Sequence, residues 1–253
     1  MTQDLFRQDA YLRECSAHIT AVTDAGIVLD RTVFYPLGGG QAGDSGVLVL
    51  ADGTEIAIAD TRKGKDAEGN ATNNIVHVPA PGQEALLAAL APGTTVTARI
   101  DWERRHRMMR LHTTSHLLCH VVPQLVNGCS ITPDYARLDF AMTDPLDKEQ
   151  LTAAIATLVA AAHPLTVASI SDEELDANPA LVKSMSVQPP RGTGRIRTIR
   201  TIRIGGDGDA PLIDLQPCGG THVANTSEIG GIVVTKIEKK SATTRRVVLG
   251  FAP

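Results

Sequence analysis

From Ala17 to about Val78, short β-branched runs alternate with turn signals, and no other feature limits the fold so tightly. "HITAV" is followed by Asp24-Ala-Gly, "IVLDRTVF" by a glycine-rich loop, "GVLVL" by Asp52-Gly53, "EIAIAD" by a polar loop, and "IVHV" closes the series. Strands at this interval predict a small antiparallel β-barrel or sandwich. The stretch from Lys63 to Asn74 is merely polar and reads as a mobile loop. A short helix is expected at Gln83–Leu90, and "TTVTARID" then serves as a closing strand or a linker. The domain boundary is placed there, giving an N-terminal β-barrel domain over residues 1–96 and a second domain over 97–253.

The second part opens differently. Met108, Leu111, Ser115, Leu118 and Val122 recur at helical spacing and predict a helix from about Trp102 to Val126, with Asn127-Gly128 as its stop. "ARLDFAM" reads as a strand. Asp144 before Pro145 is the expected N-cap of an Ala-rich amphipathic helix, "LDKEQLTAAIATLVAAAH". Ser171 and Glu174 form a capping box after "LTVASIS". The remainder is strand: "GRIRTIRTIRI", "LIDL", "GIVVTKIEK" and "TRRVVLGF", the last two a hairpin around Lys240–Thr243. Helices mixed with a mainly antiparallel sheet give an α+β fold class.

The 253 residues are enough for two ordinary domains, each with a core. No apolar run approaches the ~18 residues that cross a bilayer, and the first 25 residues lack a basic-then-apolar leader pattern, so a soluble, cytoplasmic protein is expected. Cys15, Cys119, Cys129 and Cys218 are too scattered for a disulfide framework and read as buried thiols, ligands or nucleophiles. The net charge of −4 excludes a protein that coats nucleic acid indiscriminately, but it conceals a gradient. Residues 1–100 carry 7 Lys and Arg against 12 Asp and Glu, residues 101–190 carry 7 against 11, and residues 191–253 carry 10 against 5. The basic tail has two clusters, Arg191, Arg195, Arg197, Arg200 and Arg203, then Lys236, Lys239, Lys240, Arg245 and Arg246. Either could follow a phosphate backbone, or be a solvated face.

"GGGQAG" matches G-x-G-x-x-G through Gly38, Gly40 and Gly43. A dinucleotide fingerprint needs a helix after its glycines, and "DSGVLVL" reads as a strand. The run is therefore taken as a turn that lets another surface approach the backbone closely.

"RLHTTSHLLCH" carries three histidines four apart, His112, His116 and His120. Positions i and i+4 share a helix face, so either adjacent pair can aim two imidazoles at one ion, and the residues alone leave both pairs open. Cys119 lies off that face and reads as a core thiol. A hundred residues later "QPCGGTH" offers Cys218 and His222 around a glycine pair that permits a tight path. Two imidazoles from the helix with this thiolate and imidazole make an N₃S set suited to Zn²⁺. His18, His77, His106 and His163 have no partner pattern and read as structural.

"HTTSH" with "CGGTH", "FYPLGGGQAGDSG" and the intervening "RLDF" resemble the editing domain of alanyl-tRNA synthetase and its freestanding relatives, the AlaX trans-editing proteins; threonyl-tRNA synthetase has a similar domain. The match runs from about Phe34 to Ile237, with no synthetase core before it. The glycine-rich N-terminal part resembles the longer form of that family. The resemblance implies that His112, His116, Cys218 and His222 bind Zn²⁺, with His120 a bystander. It further implies hydrolysis, in trans, of the ester joining serine, and as a second candidate glycine, to tRNA(Ala).

Thr113, Thr221, Ser130 and Thr132 are the hydroxyls expected near the substrate, although Ser and Thr often bond only local backbone. A site that hydrogen-bonds a hydroxyl rejects an alanyl group because its own polar groups are then left unpaired. Gly39, Gly40 and Gln41 are expected to form a platform against the tRNA acceptor end or the partner domain, and Arg195, Arg197 and Arg200 to contact RNA. Arg137 and Asp139 of "RLDF" read as a cross-strand salt bridge. Two other classes remain beside the deacylase: an RNA-binding module with a structural zinc and no hydrolytic activity, and a zinc hydrolase of small substrates. Thr113 stands where H-E-x-x-H has its glutamate, which argues against a metalloprotease.

Overall fold

A computed structural model describes residues 1–185, 198–206, 208 and 210–253. It divides into two units, Met1–Gly38 with Ala42–His106, and Gly39–Gln41 with Arg107–Pro253.

In the first unit, β1 (Gln3–Asp4) pairs in parallel with β4 (Arg31–Thr32). The other strands are β2 (Glu14–Thr23), β3 (Gly26–Leu29), β5 (Gly46–Leu50), β6 (Glu55–Lys65), β7 (Ala71–Pro79) and β8 (Thr95–Ile100). They pair antiparallel in the order β2-β3-β7-β6-β5-β8, and β8 returns to β2, so the ring closes. Alternation along the strands turns Ile19, Ile27, Leu29, Leu48, Ile56, Val96 and Ile100 into one core, each such side chain contributing roughly 1.5–3 kcal/mol of burial. A boundary at 96/97 would cut β8, whose pairing to β5 and β2 keeps it in the ring. The expected mobile loop is instead a hairpin: β6 continues to Lys65, β7 begins at Ala71, and Asp66 N–H bonds Asn70 O at 2.9 Å. Polar side chains on both strands hid a backbone ladder that continues, with a shift of register between Lys63 and Lys65, to Lys65 opposite Ala71. The short helix α1 (Glu84–Ala88) lies between β7 and β8.

The ring is tied internally by an ion pair without exposed surface. Arg105 meets Asp44 through Nε at 3.0 Å and through Nη2, while Nη2 also donates to Val33 O at 2.7 Å and Nη1 to Ala10 O at 2.9 Å. Asp44 Oδ2 accepts from Tyr35 N–H at 2.6 Å as well. Pairing the guanidinium with a carboxylate and two backbone carbonyls in this way is what makes a buried charge tolerable.

Helix α2 (Trp102–Val121) starts where Asp101 Oδ1 accepts from Arg104 N–H at 3.1 Å. It ends before Pro123, not at Val126, because proline disfavours helical backbone at the residue before it. Asn127 and Gly128 consequently lie inside β9 (Val126–Ile131). The second unit continues with β10 (Tyr135–Ala141), α3 (Lys148–Ala160), β11 (Leu165–Ser171), α4 (Asp172–Ala177), β12 (Thr198–Gly205), β13 (Leu212–Pro217), β14 (Ile232–Ser241) and β15 (Thr244–Phe251). Its strands form two antiparallel sheets, β14-β15-β10-β9 and β11-β12-β13. Helix α3 is capped by Asp147, whose Oδ1 accepts from Gln150 N–H at 2.7 Å, three residues beyond the expected Asp144. The Ser171–Glu174 capping box is present. The α+β class with mainly antiparallel sheets is observed. No helix among the described residues is long and apolar enough to cross a membrane.

Candidate metal centre

Residues 111–119 of α2 are all buried, so this helix has no single apolar stripe. Two of its hydroxyls are satisfied by the turn before them: Thr114 Oγ1 donates to Arg110 O at 2.8 Å and Ser115 Oγ to Leu111 O at 2.9 Å. His112 and His116 lie one turn apart on this buried stretch, and His120 is exposed at its end.

Strand β13 brings the second pair. After Pro217 the chain leaves the sheet, and Cys218, Gly219, Gly220, Thr221 and His222 fold back toward α2. Gly220 is needed there, because a Cβ would run into the His112 ring. One ligand atom from each of His112, His116, Cys218 and His222 lies within 4.8 Å of the other three, and this group can hold a metal ion. Cys218 Sγ is 3.5 Å from His112 Nε2 and 3.3 Å from His222 Nε2.

Each imidazole is tied on its other nitrogen. His112 Nδ1 is 2.8 Å from Gln41 Oε1, His116 Nδ1 is 2.7 Å from Asp214 Oδ2, and His222 Nδ1 is 3.2 Å from Thr113 Oγ1. Such partners fix tautomer and ring direction, leaving Nε2 to face the centre. They are tied in turn. Gln41 Oε1 also accepts from Thr221 N–H at 3.0 Å while its amide donates to Thr221 Oγ1 at 2.9 Å. Gln216 Nε2 donates to Asp214 Oδ2 at 2.8 Å, Lys183 Nζ pairs with Asp214 Oδ1, and Val223 N–H reaches Thr113 Oγ1 at 3.3 Å.

The electrostatics follow from this crowding. Burial pushes the Cys218 thiol up, but the surrounding imidazoles, His112 foremost, outweigh it and hold the thiol well below its ordinary value. Burial, then the charge of His112, keeps His222 neutral. Burial opposes a proton on His116, but Asp214 and Cys218 overcome it and raise the group to about 9. Asp214 itself is held down, against burial, by His116 and Lys183. A thiolate and neutral imidazoles are the forms that ligate metal, and at His116 a cation must displace a proton.

Other expected residues lie elsewhere. Ser130 pairs with Arg137 across β9 and β10, and its neighbour Cys129 alternates to the opposite face, with Sγ 3.7 Å from Gly39 O. Thr132 Oγ1 serves the β9–β10 turn, donating to Tyr135 O at 3.1 Å and accepting from Tyr135 N–H at 3.1 Å. Gln41 is fully buried, which removes its side chain from any surface platform; Gly39 remains exposed. Arg200 spends Nη1 on Cys218 O at 2.6 Å and Gly220 O at 3.0 Å. Arg191, Arg195 and Arg197 lie outside the described residues. Asp139 finds its cross-strand partner in Arg246, at 2.7 and 2.8 Å, and Arg137 approaches it along the same strand at 3.4 Å. Burial pushes the Cys119 thiol up to about 12, as suits a core thiol. Asp214, Gln216 and Lys183 were not anticipated; the one available signal was an aspartate inside the apolar run "LIDL".

Two family models match, "tRNA synthetases class II (A)" over residues 7–104 and "Threonyl and Alanyl tRNA synthetase second additional domain" over residues 199–248. An alanyl-tRNA editing protein AlaX-M from Saccharolobus solfataricus is 32% identical over 257 residues, covering 100% of both chains. Another from Methanosarcina acetivorans is 34% identical over 260 residues, 98% of each. The alanine–tRNA ligase of Metallosphaera sedula is 34% identical over 247 residues, 94% of this chain and 25% of the ligase. With full-length relatives above 30% identity, both matched models drawn from tRNA synthetases, and the His-His-Cys-His cluster in place, this chain belongs to the AlaX-type alanyl-tRNA editing protein family.

Proposed function

We propose that this protein hydrolyses the ester joining serine to the 3′ end of tRNA(Ala), acting in trans, with Zn²⁺ held by His112, His116, Cys218 and His222. The observation that carries this is the cluster itself, three imidazoles each tied at Nδ1 and one thiolate. In a tetrahedral zinc site, bonds of about 2.05 Å to nitrogen and 2.3 Å to sulfur set N and S about 3.5 Å apart. The observed 3.5 and 3.3 Å fit that edge. The relatives named as alanyl-tRNA editing proteins support the substrate class.

Bound there, the ion would supply Lewis acidity toward a water or an ester carbonyl, or a grip on the substrate's α-amine. The chain's own part is positioning, since an aminoacyl ester is intrinsically labile. Gln41, Asp214 and Thr113 hold the three rings. Thr221, with its hydroxyl next to the cluster and accepting from Gln41, is the stronger candidate for reading the serine hydroxyl; Thr113 is committed to His222 and Val223. Ser130 and Thr132 are weaker candidates for the reasons of placement given above. Arg195, Arg197 and the exposed Gly39 loop are assigned to tRNA, glycine is a second edited amino acid, and the cytoplasm is the place of action. The strand ring is read as the small N-terminal β-barrel domain.

Four protein donors would close a tetrahedron, which favours a second reading, a structural zinc in an RNA-binding module. Deacylation of Ser-tRNA(Ala) with and without a chelator separates the two. Chelator-sensitive turnover supports the hydrolase; binding without turnover would replace it with the structural reading.

A further inference from the structure

Resting on that reading, we propose that the backbone N–H of Gly219 stabilises the oxyanion formed during ester hydrolysis, and that Arg200 is the positioning residue that presents it. Arg200, on β12, sends one nitrogen, Nη1, to two carbonyls of the glycine hinge, Cys218 O at 2.6 Å and Gly220 O at 3.0 Å. No cis peptide bond occurs among the described residues. In a trans peptide the N–H points opposite to the C=O, so the N–H groups of Gly219 and Thr221 both point away from this guanidinium. The Thr221 N–H arrives at Gln41 Oε1, which also holds His112, and so marks that side of the hinge as the ligand side. Gly220 N–H turns back to Cys218 Sγ at 3.4 Å. Among the described residues none accepts from Gly219 N–H, although the residue is only partly exposed. A backbone donor left unpaired beside a cluster of reactive groups is what an oxyanion site requires, and a charged donor on the same peptide's carbonyl strengthens it by polarisation.

The step balances without a further reactant. Water oxygen adds to the seryl carbonyl carbon, the π pair moves to the carbonyl oxygen, and Gly219 N–H donates to that oxygen. Re-forming the C=O expels the ribose 3′-oxygen, which takes the proton the water has lost, leaving serine and deacylated tRNA.

The test uses the full chain loaded with zinc. Arg200→Ala is expected to lower kcat on Ser-tRNA(Ala) about 100-fold, the typical loss of one oxyanion donor, with KM changed by less than about threefold and zinc stoichiometry intact. Arg200→Lys, which still offers a charged donor, should regain most of that loss. A second variant probes the donor directly: glycolate in place of Gly219, made by semisynthesis, swaps the N–H for an ester oxygen and should also lower kcat by about 10- to 100-fold. Binding provides a readout apart from turnover. Both changes should weaken a phosphonate mimic of the tetrahedral adduct on adenosine by the same factor as kcat, and leave the hydrolysis-resistant seryl-3′-amino-3′-deoxyadenosine unaffected. An active parent whose Gly219 ester form keeps full kcat overturns the donor, and an Arg200→Ala protein that simply loses zinc overturns the positioning role. A parent that leaves Ser-tRNA(Ala) intact overturns the functional reading itself.

Discussion

Gln41 offers the sharpest check on how the metal centre is held. Its oxygen accepts from His112 Nδ1 at 2.8 Å and from Thr221 N–H at 3.0 Å, its amide donates to Thr221 Oγ1 at 2.9 Å, and the side chain has no exposed surface. Gln41→Leu leaves both N–H donors buried without an acceptor, at about 1–3 kcal/mol each. Much of that cost falls equally on the metal-bound and metal-free protein. The part that distinguishes them is the freedom His112 regains, and loss of such a partner lowers metal affinity by about 10- to 100-fold, or about 1.4–2.7 kcal/mol. Gln41→Glu keeps an acceptor for both N–H groups, and the Thr221 hydroxyl can turn to donate to it, so affinity should return to within about threefold of the parent. Competition against a chromophoric zinc chelator measures the difference, with circular dichroism to verify folding. A folded leucine variant that holds zinc within about twofold of the parent, or a glutamate variant as weak as leucine, would refute the role.

Thr113→Val should lower zinc affinity by about tenfold, since its hydroxyl, at 3.2 Å, is the group that steadies His222 Nδ1; the same competition titration with unchanged affinity would return Thr113 to the substrate candidates. In the first unit, Asp44→Asn should cost about 3–5 kcal/mol in urea unfolding by stranding the Arg105 charge, and a loss under about 1 kcal/mol would contradict the account of that pair. His77 is fully buried, with Nε2 2.7 Å from Thr32 Oγ1 and Nδ1 3.1 Å from Ile27 O. Burial lowers it to about 4, against a weaker upward pull from Ile27. Because the unfolded chain binds the proton first, stability should fall as pH drops from about 6.5 to about 4, by roughly 3 kcal/mol in all. His77→Gln should remove that component of the slope, and pH–stability curves of the same shape in variant and parent would show that His77 does not carry it.

What could be read from the chain and what could not divides along a physical line. His112, His116 and His120 announce themselves because helical spacing puts them on one face, although only the family resemblance chose the first pair over the second, and Cys218 and His222 stand out because a glycine pair between ligands has few other uses. The closed six-strand ring was foreshadowed by turn signals between apolar runs, which are local. The hold of Gln41 on His112 was not legible, because its neighbours Gly38–Gly40 signal only a turn, and nothing local shows that the residue after a turn is drawn inward by an imidazole 71 positions away. Asp214, Lys183 and Arg200 are in the same position: their roles arise only when β12, β13 and the segment after α4 converge. The missed hairpin at Lys65–Ala71 and the overlong α2 have local causes, polar strands that imitate a loop and a proline whose effect reaches one residue back.

The direct test of the central claim is to remove metal from the purified protein with a chelator, measure hydrolysis of Ser-tRNA(Ala), and then restore zinc one equivalent at a time. Activity should vanish on removal and return in proportion to zinc, reaching its plateau at one ion per chain, and His116→Ala should neither bind that equivalent tightly nor recover. Full hydrolysis by the metal-free protein, or a plateau reached equally well by the His116 variant, would contradict the account.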